Sequence, residues 1–234
     1  MFLTATAWAA GREKALYAFQ GQPNDGMVPD AGVVLDRQGN IYGTTLAGGG
    51  GDCEYGCGTV FKMIPGGIFT TLHSFDSTDG ADPNGGLIQA TDRNFYGTTY
   101  GVGPSNNCDS GTCGTVFKMT PTGTLTTLHL FDYTDGANPT AALIQASDGN
   151  FYGTASGGGS CTNFAYGCGT IFEMTSTGIL TTLHNFDKTD GLRPNALVQD
   201  TNGTFYGTTL QGGRIVYHSC GYGCGTIFSL SVGP

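Results

Sequence analysis

Charge is scarce in this chain. Only 12% of its 234 residues are Asp, Glu, Lys or Arg, and glutamate is confined to Glu13, Glu54 and Glu173. A glycosidase built on paired carboxylates would therefore have to use aspartate. Basic residues are scarcer than acidic ones, nine against 18, for a net charge of −9 and a pI near 4.5. Such a surface repels a phosphate backbone and anionic lipid, so nucleic acid and acidic membranes are excluded as expected partners, while cations and neutral glycans remain. No apolar run approaches the ~20 residues of a membrane span. Helical periodicity is missing throughout. So are the Gly-x-Ser-x-Gly elbow, the His-Glu-x-x-His pair and the P-loop.

What the chain has is glycine, 41 residues of it, and repetition. Gly56-Cys57-Gly58-Thr59-Val60-Phe61 returns in related form at Thr112–Phe117, Gly167–Phe172 and Gly223–Phe228. Tyr-Gly-Thr recurs at Tyr42, Tyr96, Tyr152 and Tyr206, and Leu-(His/Tyr)-x-Phe at Leu16, Leu72, Leu128 and Leu183. The last set is spaced by 56, 56 and 55 residues. A fixed period of this length marks stacked or radially arranged copies of one supersecondary unit.

One copy, Leu72 to Thr127, reads as four strands. Gly86–Ala90 is a short apolar run of the buried-strand kind. A tight turn follows, and its equivalent Asp148-Gly149-Asn150 carries a hairpin signal. Phe95–Thr99 and Thr115–Met119, rich in aromatic and β-branched residues, are strands flanking a glycine-rich loop that holds a cysteine pair. After the Pro121-Thr122-Gly123 turn, Leu125–Phe131 is the fourth. Four antiparallel strands per repeat are the unit of a β-propeller blade. The sequence predicts an all-β propeller of four blades, with an N-terminal arm or signal-peptide remnant over 1–14 and a single domain over 15–234. The repeats run at about 15–71, 72–127, 128–182 and 183–234. Ala15–Phe19 matches a fourth strand, and the chain ends on a match to the third, so the N-terminal strand is expected to close the ring as the outer strand of the last blade.

The order Pro-x-x-x-Leu-(Ile/Val), Asp-Gly-Asn-Phe-Tyr, Thr-(Val/Ile)-Phe, Gly-x-Leu resembles the NHL class of propeller repeat. It is still more similar to the GloVer tandem repeat, over about residues 15–230. That resemblance implies a propeller and an exported bacterial protein, and it implies no activity.

Eight cysteines fall as one local pair per repeat: Cys53/Cys57, Cys108/Cys113, Cys161/Cys168 and Cys220/Cys224. Their drifting separations, on separate repeats, suit disulfides better than a zinc site, whose four ligands must converge. Disulfides place the protein in an oxidising compartment, secreted or at the cell surface. Ala7-Trp8-Ala9 agrees, having the small-x-small form of a signal-peptidase site.

The cysteine loops and the Asp-rich loops between blades share one face, where long variable loops on a rigid scaffold usually carry binding. Tyr55, Phe164, Tyr166, Tyr217, His218 and Tyr222 are the candidate ligand-binding residues, because an aromatic face packs on the C–H patches of a sugar. Their alternative is blade cover or subunit contact. Asp76, Asp79, Asp132, Asp135, Asp187 and Asp190 are candidate Ca²⁺ ligands. The competing reading, favoured by their repetition, is that they cap turns; the first copy has Gln20 where the others have Asp76, Asp132 and Asp187. His73, His129 and His184, with Tyr17 in the first copy, read as structural rather than catalytic, and the Tyr of Tyr-Gly-Thr reads as packing between blades. No catalytic residue stands out. The expected function is a secreted, non-enzymatic propeller for recognition or adhesion, with an extracellular glycan or protein as partner. The alternatives are a subunit that assembles with copies of itself into a filament or surface layer, and an extracellular polysaccharide hydrolase or lyase.

Overall fold

The computed structural model describes residues 13–21, 23, 25–101, 113–161, 166–214 and 220–232. Every element in them is a β-strand, and no helix is long and apolar enough to cross a membrane. The first repeat gives β1 (Gly26–Met27), β2 (Val34–Leu35), β3 (Ile41–Thr45), β4 (Ala47–Gly48), β5 (Thr59–Met63) and β6 (Phe69–Ser74). The second gives β7 (Ile88–Gln89), β8 (Phe95–Thr99), β9 (Thr115–Met119) and β10 (Leu125–Leu130). The third gives β11 (Ile144–Gln145), β12 (Phe151–Ala155), β13 (Thr170–Met174) and β14 (Leu180–Asn185). The fourth gives β15 (Leu192–Gln199), β16 (Phe205–Gln211) and β17 (Thr226–Leu230).

Pairing is antiparallel and sequential, in the orders β2-β3-β5-β6, β7-β8-β9-β10, β11-β12-β13-β14 and β15-β16-β17; β1 and β4 form a separate two-stranded pair. Three of these sheets therefore have the four strands the repeat predicts, and the sheet of the fourth repeat has three.

The cores lie between blades. Each joint is built from the same two ring pairs. Tyr42 packs on Phe95, Tyr96 on Phe151 and Tyr152 on Phe205, with centroids 4.1, 4.1 and 4.3 Å apart. Phe75 meets Phe117, Phe131 meets Phe172 and Phe186 meets Phe228 edge-on at 5.3, 5.3 and 5.1 Å. The tyrosine hydroxyls donate to Asp36, Asp92 and Asp148 in the hairpin turns, so each ring is buried at no cost in unpaired polar groups. The Tyr of Tyr-Gly-Thr is thus the packing residue the sequence suggests.

The N-terminal segment differs from expectation. Residues 15–19 form no strand, and among the described residues β17 pairs only with β16. Instead Tyr17 stacks on Phe69 at 3.9 Å, and Phe19 meets Phe61 at 5.3 Å, both on the first blade. The physical reason is visible in the repeat: Phe19 holds the place of Phe75, whose partner is always the third-strand Phe of the following blade. Among the described residues, apolar clusters join the first blade to the second, the second to the third and the third to the fourth, and none joins the fourth to the first. Accordingly Tyr206 is 39% exposed, where Tyr42, Tyr96 and Tyr152 are fully buried.

Candidate functional site

The loops between second and third strands lie on the same side as the loops between blades, and both are fixed at their base. Threonine hydroxyls pair across the cysteine-loop neck, Thr45 with Thr59 at 2.8 Å, Thr99 with Thr115 at 2.9 Å and Thr209 with Thr226 at 2.9 Å. In the third blade Ala155 removes one partner, and Thr170 keeps the bond to the Asp135 carbonyl that Thr115 and Thr226 also make, to Asp79 and Asp190. Disulfides Cys53–Cys57, Cys161–Cys168 and Cys220–Cys224 close three of the loops, with Cα atoms 5.2, 5.5 and 5.4 Å apart. Cys113 is buried and disulfide-bonded; its expected partner Cys108 lies outside the described residues.

This scaffold presents one residue in the same way three times. The backbone N–H groups of Gly48, Gly158 and Gly212 donate to the carbonyls of Tyr55, Tyr166 and Tyr222, at 2.8, 2.8 and 2.9 Å. A glycine with positive φ follows each tyrosine: Gly56, Gly167 and Gly223. The main chain is held, while the rings stand 63%, 66% and 54% exposed. Phe164, Tyr217 and His218 lie outside the described residues.

Tyr166 also lines a cleft of about 550 Å³ with Tyr100, Asn138, Ser156, Arg193 and Asn195, spanning the second, third and fourth blades. Tyr55 and Tyr222 do not reach it. Asn138 Nδ2 donates to the Tyr100 carbonyl at 2.9 Å, and Ser156 Oγ to the Asn138 carbonyl at 2.7 Å. Asn138 and Arg193 have φ of +54° and +55°, as do Val28 and Asp82 at +58° and +54°. All four precede proline, so each repeat places one strained non-glycine residue at the same spot. Side chains there are apolar, acidic, amide and basic in turn. Crowding around Asp82 strips solvent from its carboxyl and pushes its pKa up. These residues were missed from sequence; the signal was there, because the position before each proline is one where otherwise similar repeats disagree.

The six candidate Ca²⁺ ligands sit as three pairs, each inside its own turn. Asp79 accepts from the Asp76 backbone N–H at 3.0 Å and pairs with His73 Nε2 at 2.7 Å. Asp76 accepts from Thr78 N–H at 2.8 Å and its hydroxyl at 2.6 Å. Asp132, Asp135 and His129, and then Asp187, Asp190 and His184, repeat this arrangement. Hydrogen bonds from the threonine hydroxyls hold Asp76, Asp132 and Asp187 below the ordinary carboxylate range. In the first repeat Tyr17 Oη takes the histidine's part, donating to Asp25 at 2.8 Å, and this bond raises the Tyr17 pKa.

Comparison with known proteins agrees with this architecture. The family model described as the Gloeobacter/Verrucomicrobia repeat matches residues 6–228. No curated protein matches the chain. Among solved structures, a luciferin-regenerating enzyme has a TM-score of 0.51 at 14% identity, over 86% of this chain and 60% of that one. A gluconolactonase from Xanthomonas campestris has a TM-score of 0.49 at 14% identity, over 86% of this chain and 58% of that one. PorZ, a surface component of the Porphyromonas gingivalis type-IX secretion system, has 0.48 at 13% identity, over 86% of this chain and 24% of that one. The chain spans about 60% of the first two. At these identities the likeness is one of fold, the β-propeller.

Proposed function

The chain belongs to the Gloeobacter/Verrucomicrobia repeat family, and from the surface its repeats carry we propose that it is an exported, non-catalytic recognition module that binds glycans on the cysteine-loop face. One observation carries this reading: Tyr55, Tyr166 and Tyr222 are held by the same backbone bond and left exposed. A large ring left more than half exposed on a fixed loop forgoes burial energy, and it offers a flat surface for C–H groups of a sugar. Tyr166 adds a cleft with amide, hydroxyl and guanidinium donors beside its ring. Three disulfides support an oxidising, extracytoplasmic setting. Among the described residues lining the cleft there is no Asp, Glu or His, so nothing there favours the hydrolase reading. The test is a polysaccharide and glycan-array screen with the wild type and Tyr55→Ala, Tyr166→Ala and Tyr222→Ala. Binding by the wild type that weakens in the variants, whose stability is unchanged, supports the reading; no binding to any polysaccharide defeats it.

The exposed last blade favours a second reading, assembly. Ile227 is 84% exposed, although its equivalents Val60, Val116 and Ile171 are buried. We propose that residues 15–19, seated on the first blade as a preceding outer strand would be, complete the last blade, within one chain or between copies. An engineered disulfide between Ala18→Cys and Thr226→Cys tests it, since the ladder pairs Thr170 with Asn185 at the equivalent place. A cross-linked monomer means ring closure and a cross-linked multimer means assembly. No cross-link rejects both.

A further inference from the structure

On the opposite face, the side of the short hairpin turns, the inner strands of the second and third blades and the first hairpin turn of the first blade enclose a cleft of about 720 Å³. Its floor is apolar: Leu143 and Ala90 are buried with Ile88 packed against them, and Ile144, packed on the next joint, lines the cleft beside them. Its rim carries two arginines, Arg37 and Arg93.

Both break the repeat. The turn position of Arg93 is Gly39, Gly149 and Gly203 in the other copies, and the backbone there is left-handed in all four, with φ of +79°, +67°, +89° and +88° in chain order. That conformation costs a side-chain-bearing residue free energy that glycine avoids. Arg37 stands where the other copies have Thr91, Ser147 and Thr201. Neither guanidinium has an ion-pair partner among the described residues. Neither neighbouring carboxylate lines the cleft: Asp92 pairs with Lys118 and accepts from Asn94 and Tyr96, and Asp36 accepts from Asn40 and Tyr42. In a chain with twice as many acids as bases, two unpaired arginines at one cleft are a local reversal of charge.

We infer that this cleft is a binding site for a small organic anion, a carboxylate or phosphate ester, whose oxyanion is held by Arg37 and Arg93 and whose apolar body lies on Ile88, Leu143 and Ile144. A guanidinium fork matches either oxyanion, and the volume falls within the range of small-molecule pockets. The site is separate from the tyrosine face and stands or falls apart from the glycan reading.

The test is an NMR titration of the full chain with benzoate, phenyl phosphate and the neutral benzyl alcohol. Either anion, or both, should perturb the amides of residues 36–40 and 90–94, and the alcohol should not; which anion binds distinguishes the two sources. Arg37→Thr and Arg93→Gly, each restoring the residue type of the other repeats, should weaken binding at least tenfold. Arg93→Gly should at the same time raise the thermal midpoint, because it removes the left-handed strain, so lost binding cannot be laid to unfolding. No perturbation by either anion, equal perturbation by benzyl alcohol, or undiminished binding in Arg93→Gly would overturn the proposal.

Discussion

The rings of Tyr152 and Phe205 pack 4.3 Å apart, and theirs is the last joint of its kind among the described residues. Tyr206 occupies the same place one blade on, and among the described residues no ring packs against it. The same residue type thus serves two energetic roles. Tyr152→Ala should cost about 3–5 kcal/mol, the range for deleting a buried aromatic. Tyr206→Ala should cost about 1 kcal/mol or less, as expected where little area is buried. Urea denaturation of both variants at equal protein concentration checks this. A large cost for Tyr206→Ala would mean that its face is covered in solution, by the first blade or by another copy.

Gly167 predicts the importance of the cysteine-loop geometry. Its φ is +70°, and a Cβ there would collide with the carbonyl of Gly158, whose N–H holds Tyr166. Gly149 also has positive φ, but a Cβ there meets nothing. Gly149→Ala should therefore cost only the strain of the left-handed backbone, about 1–2 kcal/mol. Gly167→Ala should cost more and shift the amide resonance of Gly158, the donor to the Tyr166 carbonyl. Equal costs would show that the loop yields freely.

Much of this was legible in the sequence because the repeat names its own strands. Tyr42, Tyr96 and Tyr152 were readable as packing residues, and the loop disulfides followed from cysteine spacing. Two things were not. The strand pattern of residues 15–19 says what they pair with, but not that Phe19 would seat on Phe61 while β17 stayed an edge; pairing depends on blade-to-blade angle, which no residue encodes alone. Of the described candidate rings Tyr55, Tyr166 and Tyr222, only Tyr166 meets the cleft, because convergence across blades is a property of curvature. The missed arginines and pre-proline residues could have been found by asking where the copies differ instead of where they agree.

Reduction should act loop by loop. Cys53–Cys57 and Cys220–Cys224 each close a five-residue loop, for which the chain-entropy account gives about 2 kcal/mol. Cys220→Ser with Cys224→Ser should lower stability by about that much and leave the joints between the first three blades intact. Hydrogen exchange would show faster opening near β17 and unchanged protection at Tyr42 and Tyr96. Global loss of protection would contradict the blade-by-blade picture.

The carboxylates set the pH dependence. Asp36, Asp76, Asp92, Asp132 and Asp187 are all held below their ordinary values. Desolvation opposes this at Asp36 and Asp92, and hydrogen bonds, with Lys118 at Asp92, outweigh it. A lowered folded-state pKa means that the unfolded chain binds protons first as pH falls. Their contribution is fully present above the unfolded value near 3.8 and drains away below it. Asp82 has the opposite sign: its raised carboxyl opposes folding as pH climbs through its folded pKa. The thermal midpoint should hold level from about pH 7 to 5 and drop steeply below about pH 4. Asp92→Asn should flatten that drop by leaving one fewer depressed carboxylate, whereas Asp82→Asn should leave it in place and raise the neutral plateau. A midpoint that falls equally in both variants would mean that these two groups do not carry the linkage.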